Sequence, residues 1–335
     1  MSPPSAGLRR DKQVSALVLA AGLGTRLRPL TYVRAKAAVP VNGEPLVRRV
    51  IRWLVSEHVT DLVVNLHHHP ASVTARVGDG SDLGARVRYS WEQPVLGSAG
   101  GPRRALPLLV DGAPRRSDTF FIINGDTLTD VNLEAIMDAH RRSGALVTMA
   151  LIPNPRPDKY GGVLVPDGRW VTGFSRAGAP GPSWHFIGVQ VAESKVFAGL
   201  DDGVPAESVT GVYPRLMAAR PRSVAAFTCD ASFRDIGTPS DYLRTSVELA
   251  GVEGDRLAAG AGGTRHRSAR IERTAVWDDV VVGRDAELVD CVVGDGARIP
   301  DGARYCRSAI VPAGTRAPAP GERVDGPLLV AEIEE

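Results

Sequence analysis

Lysine is nearly absent from this chain: four stand against 36 arginines in 335 residues. Cysteine is scarce too. Cys229, Cys291 and Cys306 are odd in number and show no C-x-x-C spacing, which excludes a disulfide framework or a zinc site and leaves three reduced thiols. Neither a charged-then-apolar leader nor an unbroken apolar run of about 18 residues occurs, so a membrane span and secretion are disfavoured and the cytoplasm is the expected compartment. Charge of one sign is not in excess. The net +2 comes from 40 basic and 38 acidic residues without long blocks, which excludes the field that gathers nucleic acid or anionic membrane and points to small-molecule partners. Two nucleotide-binding signatures are missing as well: neither G-x-x-x-x-G-K-[ST] nor G-x-G-x-x-G follows the first strand, so the P-loop and dinucleotide-binding readings fail on spacing.

What is present is an ordinary globular chain, 43% hydrophobic and long enough for two domains. Residues 1–13 read as a loose polar tail. From residue 14 to 252, strand-like runs (ALVLAA, DLVVNLH, RVRYSW, TFFIING, LVTMALI) alternate with helical patterns (PLVRRVIRWLVSE, NLEAIMDAHRRSG). That alternation implies βαβ units, and so an α/β domain with a doubly wound, mainly parallel sheet of Rossmann-like type. A Gly-, Ala- and Arg-rich stretch, 253–270, reads as a linker.

In residues 271–316 an aliphatic residue recurs every five or six positions: Ile271, Val276, Val282, Leu288, Val293, Ile299 and Ile310. Ala286, Ala297 and Ala303 follow their aliphatic partners by four. One large and one small inward position per six residues suits a short parallel β-helix of hexapeptide rungs. Its open ends call for a neighbour, either the α/β domain or a second copy, so a homo-oligomer is expected. Residues 317–335 show no period and read as a C-terminal tail.

The stretch LVLAAGLGTRLRPLT, residues 17–31, runs from an apolar strand straight into glycines and arginines. Ligands of open α/β sheets sit at the carboxyl ends of the strands, where glycines let backbone N–H groups approach a polyphosphate. The loop therefore reads as a phosphate cradle built from Ala20, Ala21, Gly22, Gly24, Thr25 and Arg26. Together with Lys36, PVNGEPLV, EQPVLGSAGG (92–101), INGDTL (123–128), KYGGVLV (159–165) and FRDIGTPSDYL (233–243), it resembles the signature of the sugar-phosphate nucleotidyltransferases, the NDP-sugar pyrophosphorylases. The resemblance is to the mannose-1-phosphate guanylyltransferase-like members, covers most of residues 14–250, and extends to the left-handed form of β-helix that many of them carry.

That resemblance implies attack of a sugar 1-phosphate oxygen on the α-phosphorus of a nucleoside triphosphate, with release of pyrophosphate and with Mg²⁺ as cofactor. No protein nucleophile is needed; the work is alignment and charge neutralisation. It implies that Asp126 and Asp235 hold the metal, that Arg26 meets the β- and γ-phosphates, and that Lys36 reaches the phosphates from the following loop. A lysine kept in so arginine-rich a chain is consistent with a compact point charge. Tyr160, Gly161 and Gly188 are implied in holding the sugar phosphate. Here the chain departs from the family pattern Phe-x-Glu-Lys-Pro, reading Phe174, Ser175, Arg176, Ala177, and it has His185 before Gly188 where Asn-Ala-Gly is common. Arg176 retains a phosphate ligand, whereas Ser175 does not replace a carboxylate accepting from two hydroxyls.

In the resembled family the segment before LGSAGG lines the base pocket. Glu92 opens that segment, Gly97 lets a flat ring approach, and Ser98 follows. A carboxylate only accepts, and guanine alone offers two adjacent donors on one edge, so Glu92 leans toward GTP, with Gln93 as the alternative contact to a pyrimidine imide. Mannose 1-phosphate or a related sugar is the co-substrate implied. The alternatives are a UTP- or dTTP-dependent pyrophosphorylase of glucose 1-phosphate type and a non-catalytic regulatory or scaffold subunit of the same fold. Two further features take plainer readings: LHHHP at 66–70 alternates in direction along a strand end and does not converge on one ion, and Trp277 and Tyr305 are left unassigned.

Overall fold

The computed structural model describes residues 14–110, 117–251, 257 and 260–334. The segment expected to be a polar tail, 1–13, lies outside the described residues, as does most of 252–259. By internal packing the chain divides into two compact units, one made of 1–22, 50–67 and 77–233, the other of 23–49, 68–76 and 234–335.

The first unit is organised around a nine-stranded sheet: β1 (Ser15–Leu19), β2 (Asp61–Leu66), β3 (Arg86–Trp91), β4 (Thr119–Asn124), β5 (Val147–Pro153), β6 (Gly162–Leu164), β7 (Gly173–Ser175), β8 (Trp184–Glu193) and β9 (Val224–Thr228). The order β7-β6-β8-β4-β1-β2-β3 forms one path, and β5 joins β8 to β9. Strands β1, β2, β3 and β4 are parallel, and the apolar runs of β1 and β4 fit strands covered on both sheet faces. All of the strands and helices anticipated from the sequence are present. Strands β6, β7 and β9 are additions, and so is the long strand β8, which runs antiparallel to both β4 and β5, so the sheet is more mixed than expected. An interior glycine hid β8: Gly188, at φ 77°, lies where the register shifts between Phe186 and Gln190, a bulge that interrupts the period-two pattern.

Local signals set the helix ends. The helix Leu133–Ser143 starts where the Asn132 side chain accepts from the Ala135 amide at 2.7 Å, and stops at Gly144, φ 64°. Among the described residues no helix is long and apolar enough to cross a membrane.

The second unit contains the β-helix. Three ladders of parallel strands, Thr264–Val281–Arg298, Arg270–Glu287–Arg304 and Ala275–Val292–Ala309, pair residues 17 apart, so three coils stack. This fits the left-handed form that the resemblance implies. Val282, Leu288, Val293, Ile299 and Ile310 fill its interior beside Ala286 and Ala297, as their spacing predicts. Two boundaries shift. The first rung begins at Thr264, inside the stretch expected to be linker. Residues 317–335, expected to be a tail, carry an antiparallel hairpin, Glu322–Asp325 with Leu328–Glu332, that extends the third ladder through Ser308–Pro312. Buried Leu328 and Val330 close the β-helix core, and a hairpin so short leaves no periodicity in the sequence. The partition of units also departs from the expected boundary at 252, because the loop 23–49 packs with the β-helix unit.

Leu288 sits fully buried in the middle coil. Leu288→Ala should cost about 2–5 kcal/mol of stability through lost transfer energy and the cavity left behind. Chemical denaturation checks this; a loss below the lower figure would mean that the coil collapses onto the gap.

Candidate active site

In the first unit the loop after β1 is shaped by one buried polar residue. Asn65, paired across from Leu19, accepts through Oδ1 from the Ala20 amide at 2.6 Å and the Ala21 amide at 3.3 Å. Its Nδ2 donates to Glu92 Oε1 at 2.7 Å, and Glu92 Oε2 accepts from the Leu96 amide at 2.8 Å. A side chain at Gly101 would start 2.6 Å from Glu92 Oε1, so the glycine is what lets the helix Gly97–Leu109 close over this pair. The relay Ala20/Ala21–Asn65–Glu92–Leu96 thus couples the loop after β1 to the segment after β3.

This changes the role of Glu92. It is only 5% exposed, and both carboxylate oxygens are engaged by its own protein. Burial pushes its carboxyl above the usual carboxylate range, against the pull of the Leu96 amide and Asn65. The expected reading of guanine by Glu92 does not fit this placement; the carboxylate braces the loop. Ala20 and Ala21 likewise have their amides engaged by Asn65. Asn65 itself escaped the sequence reading, although a polar residue inside the apolar run DLVVNL is the signal that marks a buried hydrogen-bonding hub.

Gly97 and Ser98 follow at the helix start. Gly97, φ 76°, faces Glu207: a Cβ there would fall 2.5 Å from Glu207 Oε1. The Ser98 hydroxyl donates to Glu207 Oε2 at 2.6 Å and accepts from the Ser208 amide at 2.8 Å. Ser98 is therefore tied to the 206–208 segment. Gly22 and its neighbours leave the strand end, and Gly125, whose Cβ would meet Leu19 O at 2.7 Å, brings Asp126 out directly beside it. Gly188 sits equally close over the Asn124 side chain.

The residues expected to hold the sugar phosphate gather in the same unit. Gly161 lies against Ser175 O, β6 and β7 pair Gly162 with Ser175, and exposed Arg176 follows at that strand's end. The Tyr160 ring lies 4.4 Å from the His185 ring, centroid to centroid, and Phe233 lies 4.5 Å from His185 on another side. Phe233 was missed, though FRDIG carries it two residues before Asp235. His185 is 8% exposed, and among the described residues neither ring nitrogen has a hydrogen-bond partner. Burial pushes its pKa down to about 4.

The second unit holds the charged loop. Gly24 is left-handed at φ 61°, and a Cβ there would meet Thr31 Cγ2 at 2.7 Å and Lys36 Cβ at 3.1 Å, so only glycine lets Lys36 pack this close. Thr25–Leu27 form a single 3₁₀ turn that carries Arg26 outward. At Gly237 a Cβ would lie 2.9 Å from Asp235 Oδ2 and 3.2 Å from Arg26 Nη1, so these two side chains converge on one glycine. The three histidines of LHHHP take separate partners: His67 Nδ1 lies 2.9 Å from Glu92 O and His68 Nε2 lies 2.9 Å from Thr31 O, while His69 stacks edge-on to His68.

A family model described as "Nucleotidyl transferase" matches residues 15–251. The chain belongs to the nucleotidyl transferase family. It is 31% identical over 304 residues to a mannose-1-phosphate guanylyltransferase of Mycobacterium tuberculosis, covering 89% of this chain and 83% of that one. A UTP–glucose-1-phosphate uridylyltransferase of Synechocystis is 24% identical, covering 89% and 78%. The fold is shared with HddC from Yersinia pseudotuberculosis complexed with GMP-PN: TM-score 0.59 at 20% identity, over 70% of this chain and 99% of that one. As members of this family transfer nucleotidyl groups, the chain is an enzyme of the sugar-nucleotide pyrophosphorylase class, and the expectation of that class is met.

Two expectations follow from the geometry. Glu92→Gln places an amide donor against the Leu96 amide or against Asn65, so it should raise KM for every nucleoside triphosphate alike and leave the GTP-to-UTP ratio of kcat/KM unchanged; a selective loss with GTP would restore Glu92 as the base reader. His185 stays neutral in the folded protein down to about pH 4, whereas the unfolded chain takes up its proton near pH 6.5. Its contribution to stability is complete above about pH 6.5 and declines as pH falls toward 4, by about 1.4 kcal/mol per pH unit. Between pH 7 and pH 5 the protein should lose about 2 kcal/mol more stability than His185→Phe does in urea titrations. Equal losses would show that the ring is not held neutral.

Proposed function

We propose that the protein joins GTP and mannose 1-phosphate, or a closely related sugar 1-phosphate, to give the GDP-sugar and pyrophosphate. The observation that carries this reading is the 31% identity to a mannose-1-phosphate guanylyltransferase across 89% of the chain, which spans both the sheet and the β-helix. A phosphate oxygen of the sugar 1-phosphate forms a bond to the α-phosphorus, the bond from that phosphorus to the bridging oxygen breaks, and the electron pair leaves with pyrophosphate.

Arg26 and Lys36 supply positive charge for the triphosphate on a loop that Gly24 keeps tight. Arg26 is the group set against the leaving pyrophosphate, and its convergence with Asp235 on Gly237 supports a fixed orientation. Asp126 and Asp235 are assigned to Mg²⁺ on their motif positions. Both are hard oxygen donors, which suits a cation that completes its shell with water and phosphate oxygens. Bound there, magnesium would neutralise phosphate charge. On the sugar side, Arg176 offers a cation to the sugar phosphate, and the Tyr160 and Phe233 rings pack against the buried His185. The UTP-dependent reading is kept by the 24% identity to a uridylyltransferase over a comparable span.

Pyrophosphate release, measured with GTP, UTP, dTTP and ATP against mannose 1-phosphate and glucose 1-phosphate, tests this. GTP with mannose 1-phosphate should lead in kcat/KM by roughly tenfold or more. Arg26→Ala should lower kcat by about 10²-fold, the scale of a lost preorganised electrostatic group. A lead for UTP with glucose 1-phosphate would replace the guanylyl reading, and a rise in nucleotide KM alone would make Arg26 a uniform binding residue.

A further inference from the structure

Two residues before Lys36, a charged side chain disappears into the protein. Arg34 is 2% exposed. Its Nε donates to Asp295 Oδ2 at 2.8 Å, and its Nη2 donates to Asp295 Oδ1 at 2.5 Å and to Asp278 Oδ2 at 2.9 Å. The guanidinium also lies 5.2 Å from the Trp277 ring centroid. Asp278 and Asp295 occupy equivalent positions on successive coils of the β-helix, 17 residues apart, and the Asp278 amide donates to Asp295 Oδ1 at 3.1 Å. Arg76 adds a second cation on Asp278 Oδ2 at 2.6 Å. Burial works to raise the Asp278 carboxyl, but the Ala261 amide, Arg76 and Arg34 together hold it below the usual range; burial raises Asp295.

The loop is held at other points within the same unit. Trp277 Nε1 donates to the Tyr242 hydroxyl at 2.8 Å, and that hydroxyl donates to Pro40 O. The Ala35 amide donates to Ser72 Oγ at 3.0 Å. Val33 packs against Gly294, where a Cβ would approach Val33 Cγ2 to 3.3 Å. Val33, Arg34, Ala35 and Pro40 are all pinned within one compact unit, and Lys36 lies among them at the start of the turn Lys36–Ala38.

We infer that the β-helix is the template of the phosphate loop, and that Arg34, held in the fork of Asp278 and Asp295, is the positioning residue that sets where Lys36 meets the triphosphate. A lysine is a flexible point charge, so its aim depends on its backbone. A planar fork around a buried guanidinium allows one orientation, and that rigidity is what a misplaced loop would lack. This inference rests on the reading that Lys36 serves the triphosphate, and it goes beyond it by assigning the β-helix a part in nucleotide handling.

The test uses the full chain, with Arg34→Lys, which keeps the charge and loses the fork, and Asp295→Asn, which keeps the volume; the second serves if the first fails to fold. Acetic anhydride labelling followed by mass spectrometry reads the reactivity of Lys36 against Lys159 and Lys195 of the other unit, without any turnover. Pyrophosphate release gives the kinetic constants. The Lys36 labelling rate should change about threefold or more with Lys159 and Lys195 constant, and nucleotide KM should rise by about tenfold with the sugar-phosphate KM within about twofold, the range expected for a shift well short of 1 Å in a positioning group. Leu288→Ala is the control: it weakens the β-helix core elsewhere and should leave both readouts at the wild-type values. Unchanged Lys36 labelling and nucleotide KM in both clamp variants would overturn the inference, as would equal changes in Leu288→Ala. Wild-type protein without any pyrophosphate release would instead overturn the nucleotidyl-transfer reading, while the labelling still reports on the clamp.

Discussion

A guanidinium taken out of water has to be answered, and the answer at Arg34 organises the second unit. Removing such a group from water costs several kcal/mol unless its donors are satisfied with good geometry. Here two aspartates from consecutive coils supply that geometry and one tryptophan ring covers the face. Because the aspartates belong to a stack with a fixed 17-residue repeat, the position of Arg34 is inherited from the repeat itself, and so is that of the loop beside it. A module that looks detachable in the sequence is, by packing, part of the same body as the loop from 23 to 49.

The first unit uses the same principle at lower charge. Asn65 and Glu92 are buried polar groups with their hydrogen-bonding capacity directed at backbone amides, and in that role they give shape to loops that have no regular structure of their own. The consequence for function is division of labour. Carboxylate and amide groups beneath the strand ends set the form of the loops, while glycines at 101, 125 and 188 allow backbone and side chains to approach within distances that any Cβ would forbid. Of the groups assigned above to the reaction, Asp126 belongs to the first unit and Arg26, Lys36 and Asp235 to the second.

Much of this was legible in the sequence. The strand runs, the glycine-rich loop and the inward residues of the β-helix could all be read because each is a local or periodic pattern, and the long motifs carried the reaction class. The reading went astray where a residue's role depends on a partner far along the chain. Glu92 looked like an acceptor awaiting a base, yet Asn65, 27 residues earlier, already holds it. Arg34 looked like one arginine among 36, and its partners lie 244 and 261 residues away. Strand β8 was hidden by the glycine that makes its bulge, and the final hairpin by its brevity.

By itself, then, the sequence determined the architecture, a doubly wound sheet and a β-helix, and the class of chemistry, since hydrophobic periodicity and contiguous motifs are properties of near neighbours. Only the tertiary structure decided which polar side chains are spent on the protein itself. Burial and hydrogen bonding are satisfied between residues that meet only after folding, and a buried polar group takes its role from whatever it meets there.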